Sequence, residues 1–176
     1  MIKLVRMLFI FVGFLGLASN SFAADVTMRI SIQLPMKSHL GQNLLLFKND
    51  VEKKSNGEIE VQIYDSAQLY KDKEVPAAVG SGSIESGVAS LTRYVGDIPA
   101  VDLFYQPFLL NSEEKVRKAV AKGSSIRGPI DKAIEGTGST VLWWQAYGSA
   151  IMLSKGEAIK NPCLLYTSDA ADEGLG

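Results

Sequence analysis

The chain has 176 residues, 47% of them hydrophobic, and a net charge of −1. That is ordinary globular composition, enough for one domain with a real core. The near-neutral balance argues against nucleic acid or an anionic membrane as partner, and the single cysteine, Cys163, excludes an internal disulfide and a cysteine-based metal site.

The N-terminus reads as a secretory signal. Lys3 and Arg6 form a basic start, residues 7–18 are an unbroken apolar run, and Ser21-Phe22-Ala23 places small residues where a signal peptidase reads them. Cleavage is expected between Ala23 and Ala24. The apolar run is too short for a membrane span, which needs about 20 residues, and no cysteine follows it to carry a lipid. Residues 1–23 are therefore expected to be a signal peptide, and the mature protein exported with no membrane insertion of its own.

The first strand is expected over residues 26–34 (VTMRISIQL), with Met28, Ile30, Ile32 and Leu34 on one face. Pro35 ends it, because proline donates nothing to a ladder. A helix follows, with Ser38 as N-cap, Leu40, Leu44, Phe47 and Val51 at helical spacing, and Gln42, Lys48, Asn49 and Glu52 facing out. Lys53 and Lys54 suit the negative end of its dipole, and Asn56-Gly57 supplies a left-handed stop. A second strand covers residues 58–64, with Ile59, Val61 and Ile63 sharing a face. Asp72 is placed to cap a helix over residues 73–79, stopped by Gly80-Ser81-Gly82, and a third strand is expected over about residues 87–92. The order β-α-β-α-β predicts an α/β fold with parallel strands.

Further on, residues 101–110 (VDLFYQPFLL) are densely apolar and interrupted by Pro107. Ser112-Glu113-Glu114 opens a helix through Ala121. Another helix is expected over residues 129–135, broken by Gly136-Thr137-Gly138, and residues 139–147 (STVLWWQAY) read as a buried strand. Both glycine clusters follow helices, so they are helix stops and not phosphate loops, which need glycines after a strand and before a helix.

Residues 163–168 (CLLYTS) do not continue the pattern before them. Back-translated as TGT CTC TTA TAC ACA TCT, they reproduce the core of a transposase-based sequencing-library adapter. Residues 163–176 are therefore expected to be a non-native tail, and residues 24–162 a fragment of a longer protein. Setting aside Lys3, Arg6, Asp169, Asp172 and Glu173 leaves the middle segment neutral and without any thiol.

Few residues are placed for chemistry. His39 is the sole histidine, so it forms neither a metal cluster nor a triad. It lies after the first strand, at the end of an open α/β sheet where ligands bind, and position alone supports a surface role equally. Arg93 sits just after the third strand at the same end, where an arginine forks onto a carboxylate with two hydrogen bonds; a surface ion pair is the competing use. Arg117 reads as a solvated helix charge, and Arg29 and Arg127 have no ligand-facing argument. Trp143-Trp144 with Tyr147 is an aromatic cluster suited to core packing, one ring per face, or to walling a pocket.

The ordered segments ISIQLPMKSHLGQNLLLF, KKSNGEIEVQIYDSAQL, GSIESGVA, LFYQPFLL, WQAYG and AIKNP resemble the solute receptors of TRAP (tripartite ATP-independent periplasmic) transporters, DctP-type, over residues 26–162. The resemblance implies a two-lobed, periplasmic binding protein-like α/β fold, of which this chain holds the N-terminal lobe and the start of the crossing. It implies capture of a small carboxylate and delivery to membrane permease subunits, with no catalysis, cofactor or metal. Ligand-lining loops of the family map onto Ser38 and His39, onto Arg93 and Tyr94, and onto Gln145 and Tyr147. The family's main carboxylate-clamping arginine falls downstream of Asn161-Pro162. Sialic-acid-type members carry an arginine shortly after the glycine of the crossing; here Gly148-Ser149-Ala150-Ile151 has no cation, which argues against that ligand. An exported sensor domain for a small acid is the alternative, and an exported α/β enzyme a weaker one, since Asp65, Asp97 and Asp102 show no paired spacing for acid-base work.

Overall fold

The computed structural model describes residues 24–148 and 160–161. The signal peptide expected over residues 1–23 and the tail expected over residues 163–176 lie outside them. The chain divides into two compact units, Met1–Gln145 and Ala146–Gly176. The elements described below belong to the first. Of the second, the short exposed stretch 146–148 and residues 160–161 are described.

Three parallel strands, β1 (Val26–Ile32), β2 (Ile59–Tyr64) and β3 (Ser86–Val88), form a sheet in the order β2-β1-β3. Register runs from Val26 opposite Ile59 to Ser31 opposite Tyr64, and from Ile30 opposite Ser86 to Ile32 opposite Val88. The expected parallel β-α-β-α-β order is the one observed. Helix α1 (His39–Lys54) covers one face of the sheet. Its Leu40 and Leu44 bury with Ile30, Ile32 and Val61, and Phe47 and Val51 pack beside them. Periodicity fixed that face well: alternate β1 residues meet the helix stripe. Ser38 caps α1 by accepting the Gly41 N–H at 3.1 Å, and the chain leaves the helix through left-handed Asn56 (φ 51°) and Gly57 (φ 86°).

Lys48 and Glu52 of α1 do not face solvent as the helical pattern predicts. Glu52 accepts the Val61 N–H at 2.9 Å, and the Lys48 ammonium donates to the Val61 carbonyl and to Glu52. Val61 lies on the outer strand, so these two side chains satisfy backbone groups that would otherwise form an open edge. Lys48, followed by the Val61 N–H, holds the Glu52 carboxyl below its ordinary range.

On the other face, helix α2 (Val75–Gly80) packs on β3 at Gly87. A Cβ on Gly87 would lie 2.4 Å from Val75 Cγ1, so only glycine lets α2 approach this closely. The helix is shorter than expected and Asp72 is not its cap. Glu74 holds the cap position without a side-chain capping bond, and Asp72 reaches instead to Ser90, just past the carboxyl end of β3. The third strand also ends early. Val88 pairs with Ile32, the last residue of β1; past that point no partner remains, and the chain turns into a 3-10 helix, Leu91–Tyr94.

A second core gathers Tyr94 from the first 3-10 helix, Ile98 and Val101 from the start of a second one at Pro99–Tyr105, and Ile130 and Ile134 from helix α4 (Arg127–Glu135). Helix α3 (Glu113–Val120) has the expected Ser112 cap and acidic first turn. The apolar run at 101–110 divides: Val101 is buried, whereas Phe108 is 88% exposed with a left-handed φ of 63°. The two glycine clusters do act as helix stops, and they also touch. A Cβ on Gly80 would sit 2.4 Å from the Thr137 carbonyl. Residues 139–147 are not a strand, contrary to expectation. Apolar sequence makes a strand only where a hydrogen-bonding partner runs alongside; here the residues anchor by their side chains. Trp143 stacks on Phe47 at 5.0 Å, and Trp144 on Phe104 at 5.1 Å, with its indole N–H on Asp131 at 2.7 Å.

Candidate functional site at the strand ends

The carboxyl ends of the three strands are joined by loop side chains. After β1, the Met36 N–H donates to Asp65 Oδ2 at 2.9 Å, and the Gln42 amide donates to the Met36 carbonyl at 2.8 Å. After β2, Ser66 and Ala67 adopt successive left-handed conformations (φ 51° and 57°), and their N–H groups donate to the carbonyls of Leu34 and Ile32 at 3.2 and 3.1 Å. Two non-glycine residues held this way mark a backbone whose course is set by its surroundings. Beyond them, buried Ser31 exchanges hydrogen bonds with both backbone groups of Tyr70, at 3.2 and 3.3 Å. This fastens the loop across the end of the central strand.

Asp72 is the junction. Its N–H donates to Gln33 Oε1 at 3.1 Å, its Oδ1 accepts the Ser90 N–H at 2.8 Å, and its Oδ2 accepts Arg93 Nε at 2.5 Å. The aspartate side chain is 12% exposed and the arginine 41%. The ion-pair use of Arg93 weighed from sequence is therefore present, and it coexists with an accessible guanidinium. The local pattern places Asp72 at a helix cap; its real partners lie 18 residues away at Ser90 and 21 away at Arg93, beyond any local pattern.

The other predicted site residues separate. Ser38 has its hydroxyl on the helix cap, and His39 is exposed at the first position of α1. Gln145 reaches the same helix, accepting Asn43 Nδ2 at 2.8 Å. Asn43 stands one turn after His39, on the same face, and was missed in the sequence because an asparagine inside a helix has no distinguishing neighbour. Tyr94 turns inward instead of toward the strand ends: it is 9% exposed in the second core, and burial raises its phenol pKa. Tyr147 lies in the second unit and is 69% exposed. A shallow depression along the β2 edge is lined by Met36, Lys48, Val61 and Tyr64 among others, none of them a predicted site residue. Among the described residues no group of three or more His, Cys, Asp or Glu is placed to hold a metal ion, and no helix is long and apolar enough to cross a membrane.

The family model for bacterial extracellular solute-binding protein, family 7 (DctP), matches residues 30–163. The chain belongs to the DctP family. Among its relatives, a solute-binding protein of Verminephrobacter eiseniae is 29% identical over 144 residues, covering 80% of this chain and 41% of the relative. The C4-dicarboxylate-binding periplasmic protein DctP of Rhodobacter capsulatus is 28% identical over 142 residues, covering 78% and 41%. The chain thus spans about two-fifths of the length of these relatives. In fold it is similar to a TRAP periplasmic solute-binding protein of Sulfurospirillum deleyianum with bound succinate (TM-score 0.60, 20% identity, 66% of this chain and 37% of that one). It is likewise similar to one of Pseudomonas aeruginosa with bound L-malate (TM-score 0.60, 19% identity, 67% and 40%). The DctP-type, periplasmic binding protein-like α/β fold expected from sequence is therefore the fold of this chain, over one lobe. The relatives are named as binding proteins and receptors, which agrees with the non-enzymatic reading.

Proposed function

We propose that this chain is the N-terminal part of an extracytoplasmic receptor that captures a small organic acid and passes it to the membrane subunits of a TRAP-type transporter. The supporting observation is the DctP match across the residues that build the strand ends, with Arg93 held there by Asp72. A guanidinium at that end of an open α/β sheet is suited to a carboxylate. In this reading His39, Arg93 and Gln145 face the ligand, while Ser38 and Tyr94 hold the loops that carry His39 and Arg93. Residues 1–23 direct export and are removed before Ala24, residues 24–162 form the binding part, and residues 163–176 are a non-native tail. The proposed tail begins where the family match ends.

The test is a thermal-shift panel on the chain with succinate, L-malate and galacturonate against neutral sugars of similar size. An acid that binds the folded form raises stability by about 2.7 kcal/mol at a hundredfold excess over its Kd. The expected outcome is a shift with acids alone; a shift with neutral sugars and none with acids overturns the reading. Reads that continue from the codon of Pro162 into other coding sequence, without the adapter, would overturn the tail.

A further inference from the structure

Four arginines follow the expected cleavage site, at positions 29, 93, 117 and 127, and among the described residues they are used differently. Arg29 binds Glu85 through Nε at 2.8 Å and Nη2 at 2.7 Å, and Nη2 also meets the Ser83 carbonyl. Arg117 commits Nε and Nη2 to Glu113. Arg127 commits Nε to Asp131 and Nη1 to the Val120 carbonyl, with its guanidinium over Trp144. Arg93 commits Nε alone, to Asp72 Oδ2.

The reason lies in the aspartate. A carboxylate facing an arginine side-on ordinarily uses both oxygens, taking Nε and one terminal nitrogen together. Asp72 is turned so that Oδ1 points to the Ser90 N–H and Oδ2 alone meets the arginine, at Nε. The Asp72 backbone N–H donates to Gln33 Oε1, which fixes the main chain from which the carboxylate extends. The result is a guanidinium whose stem is tethered and whose terminal Nη1/Nη2 fork is left at a 41%-exposed side chain beyond the sheet. A planar carboxylate is the group that fits such a fork with two parallel hydrogen bonds.

We propose that Asp72 is a positioning residue that presents the terminal fork of Arg93, end-on, to a ligand carboxylate, with Ser90 N–H and Gln33 fixing the aspartate in turn. This rests on the receptor reading above, which supplies the carboxylate. Asp72 itself accepts no ligand oxygen in this scheme; its negative charge offsets that of Arg93, so the pair recognises by direction more than by net charge.

The experiment is NMR of arginine side-chain N–H groups in the 15N-labelled 176-residue chain, titrated with sodium succinate. Arg93 Nε–H, on an Asp72 side chain only 12% exposed, is expected to exchange about tenfold more slowly than Arg117 Nε–H, whose bond to Glu113 is between side chains 77% exposed, and succinate to shift the Arg93 terminal nitrogens while its Nε stays bonded. In Asp72→Asn the Arg93 protection falls to the Arg117 level and succinate affinity drops about tenfold or more, as loss of a hydrogen bond to a charged group implies. The signals of Arg29 and Arg127 stay in place, which a general loss of structure would not allow. Should Asp72→Asn fail to fold, Arg93→Lys keeps the charge but has no fork. It is expected to lose succinate while the Ser90 amide stays at its hydrogen-bonded position. Unchanged affinity in either variant, or an unprotected Arg93 Nε–H in the parent chain, overturns the proposal. A protected Arg93 with no response to any acid in the parent chain overturns the receptor reading instead.

Discussion

Glu85 and Arg29 form the most complete ion pair of the described residues. The glutamate takes the arginine Nε and Nη2 and also the Arg29 backbone N–H at 2.9 Å. This holds the Glu85 carboxyl down at about 2, the Arg29 hydrogen bond being the main cause. A carboxyl whose folded pKa is depressed favours the folded state once pH exceeds the unfolded value, near 4.5. That contribution is lost as pH falls from about 4.5 toward about 2. Acid unfolding followed by circular dichroism should therefore be shallower across that window in Glu85→Gln. The side chain is 39% exposed, so the difference should shrink in high salt. A Glu85→Gln curve with the same slope as the parent would mean the pair does not differ between folded and unfolded states. Neither member of this pair was distinguishable in the sequence: they lie 56 residues apart, and Arg29 read as a strand residue with no task.

The close approach of α2 to β3 depends on the missing side chain at Gly87. Gly87→Ala places a methyl 2.4 Å from Val75 Cγ1, and overpacking of this kind costs about 1–3 kcal/mol. Shortening the neighbour should relieve it, so Gly87→Ala with Val75→Ala is expected to lose less stability than the sum of the two single changes, read as a double-mutant cycle in urea. Additive losses would show that the two residues do not meet. The same contact explains what could be read beforehand. Helix α1 was legible almost to the residue, since its cap, stripe and stop are all local. Helix α2 and β3 were misjudged by one to several residues at their ends, because pairing with β1 and packing at Gly87 set them, and both are contacts across the sheet.

Two hydrophobic clusters, one under α1 and one around α4, are joined by adjacent tryptophans: Trp143 stacks on Phe47 of the first, and Trp144 on Phe104 beside the second. Leu44→Ala and Ile130→Ala, at 2% and 1% exposure, should each cost about 2–5 kcal/mol. Because the tryptophans couple the clusters, each change is expected to move tryptophan fluorescence and far-ultraviolet circular dichroism together, as one transition. Two separated transitions in either variant would mean that the clusters unfold independently. The order of helices and strands, the buried stripe of α1, the parallel sheet and the DctP resemblance were all written in local spacing and segment order, because periodicity and capping act over a few residues. The sequence also pointed to Arg93 by its place after a strand. What Arg93 does with its guanidinium was settled only in three dimensions. It turns on a carboxylate 21 residues away that is already half occupied by Ser90, and on Tyr94 turning from the strand ends into the core. Those outcomes depend on which distant groups the fold brings within hydrogen-bonding reach, and no local pattern of residues carries that information.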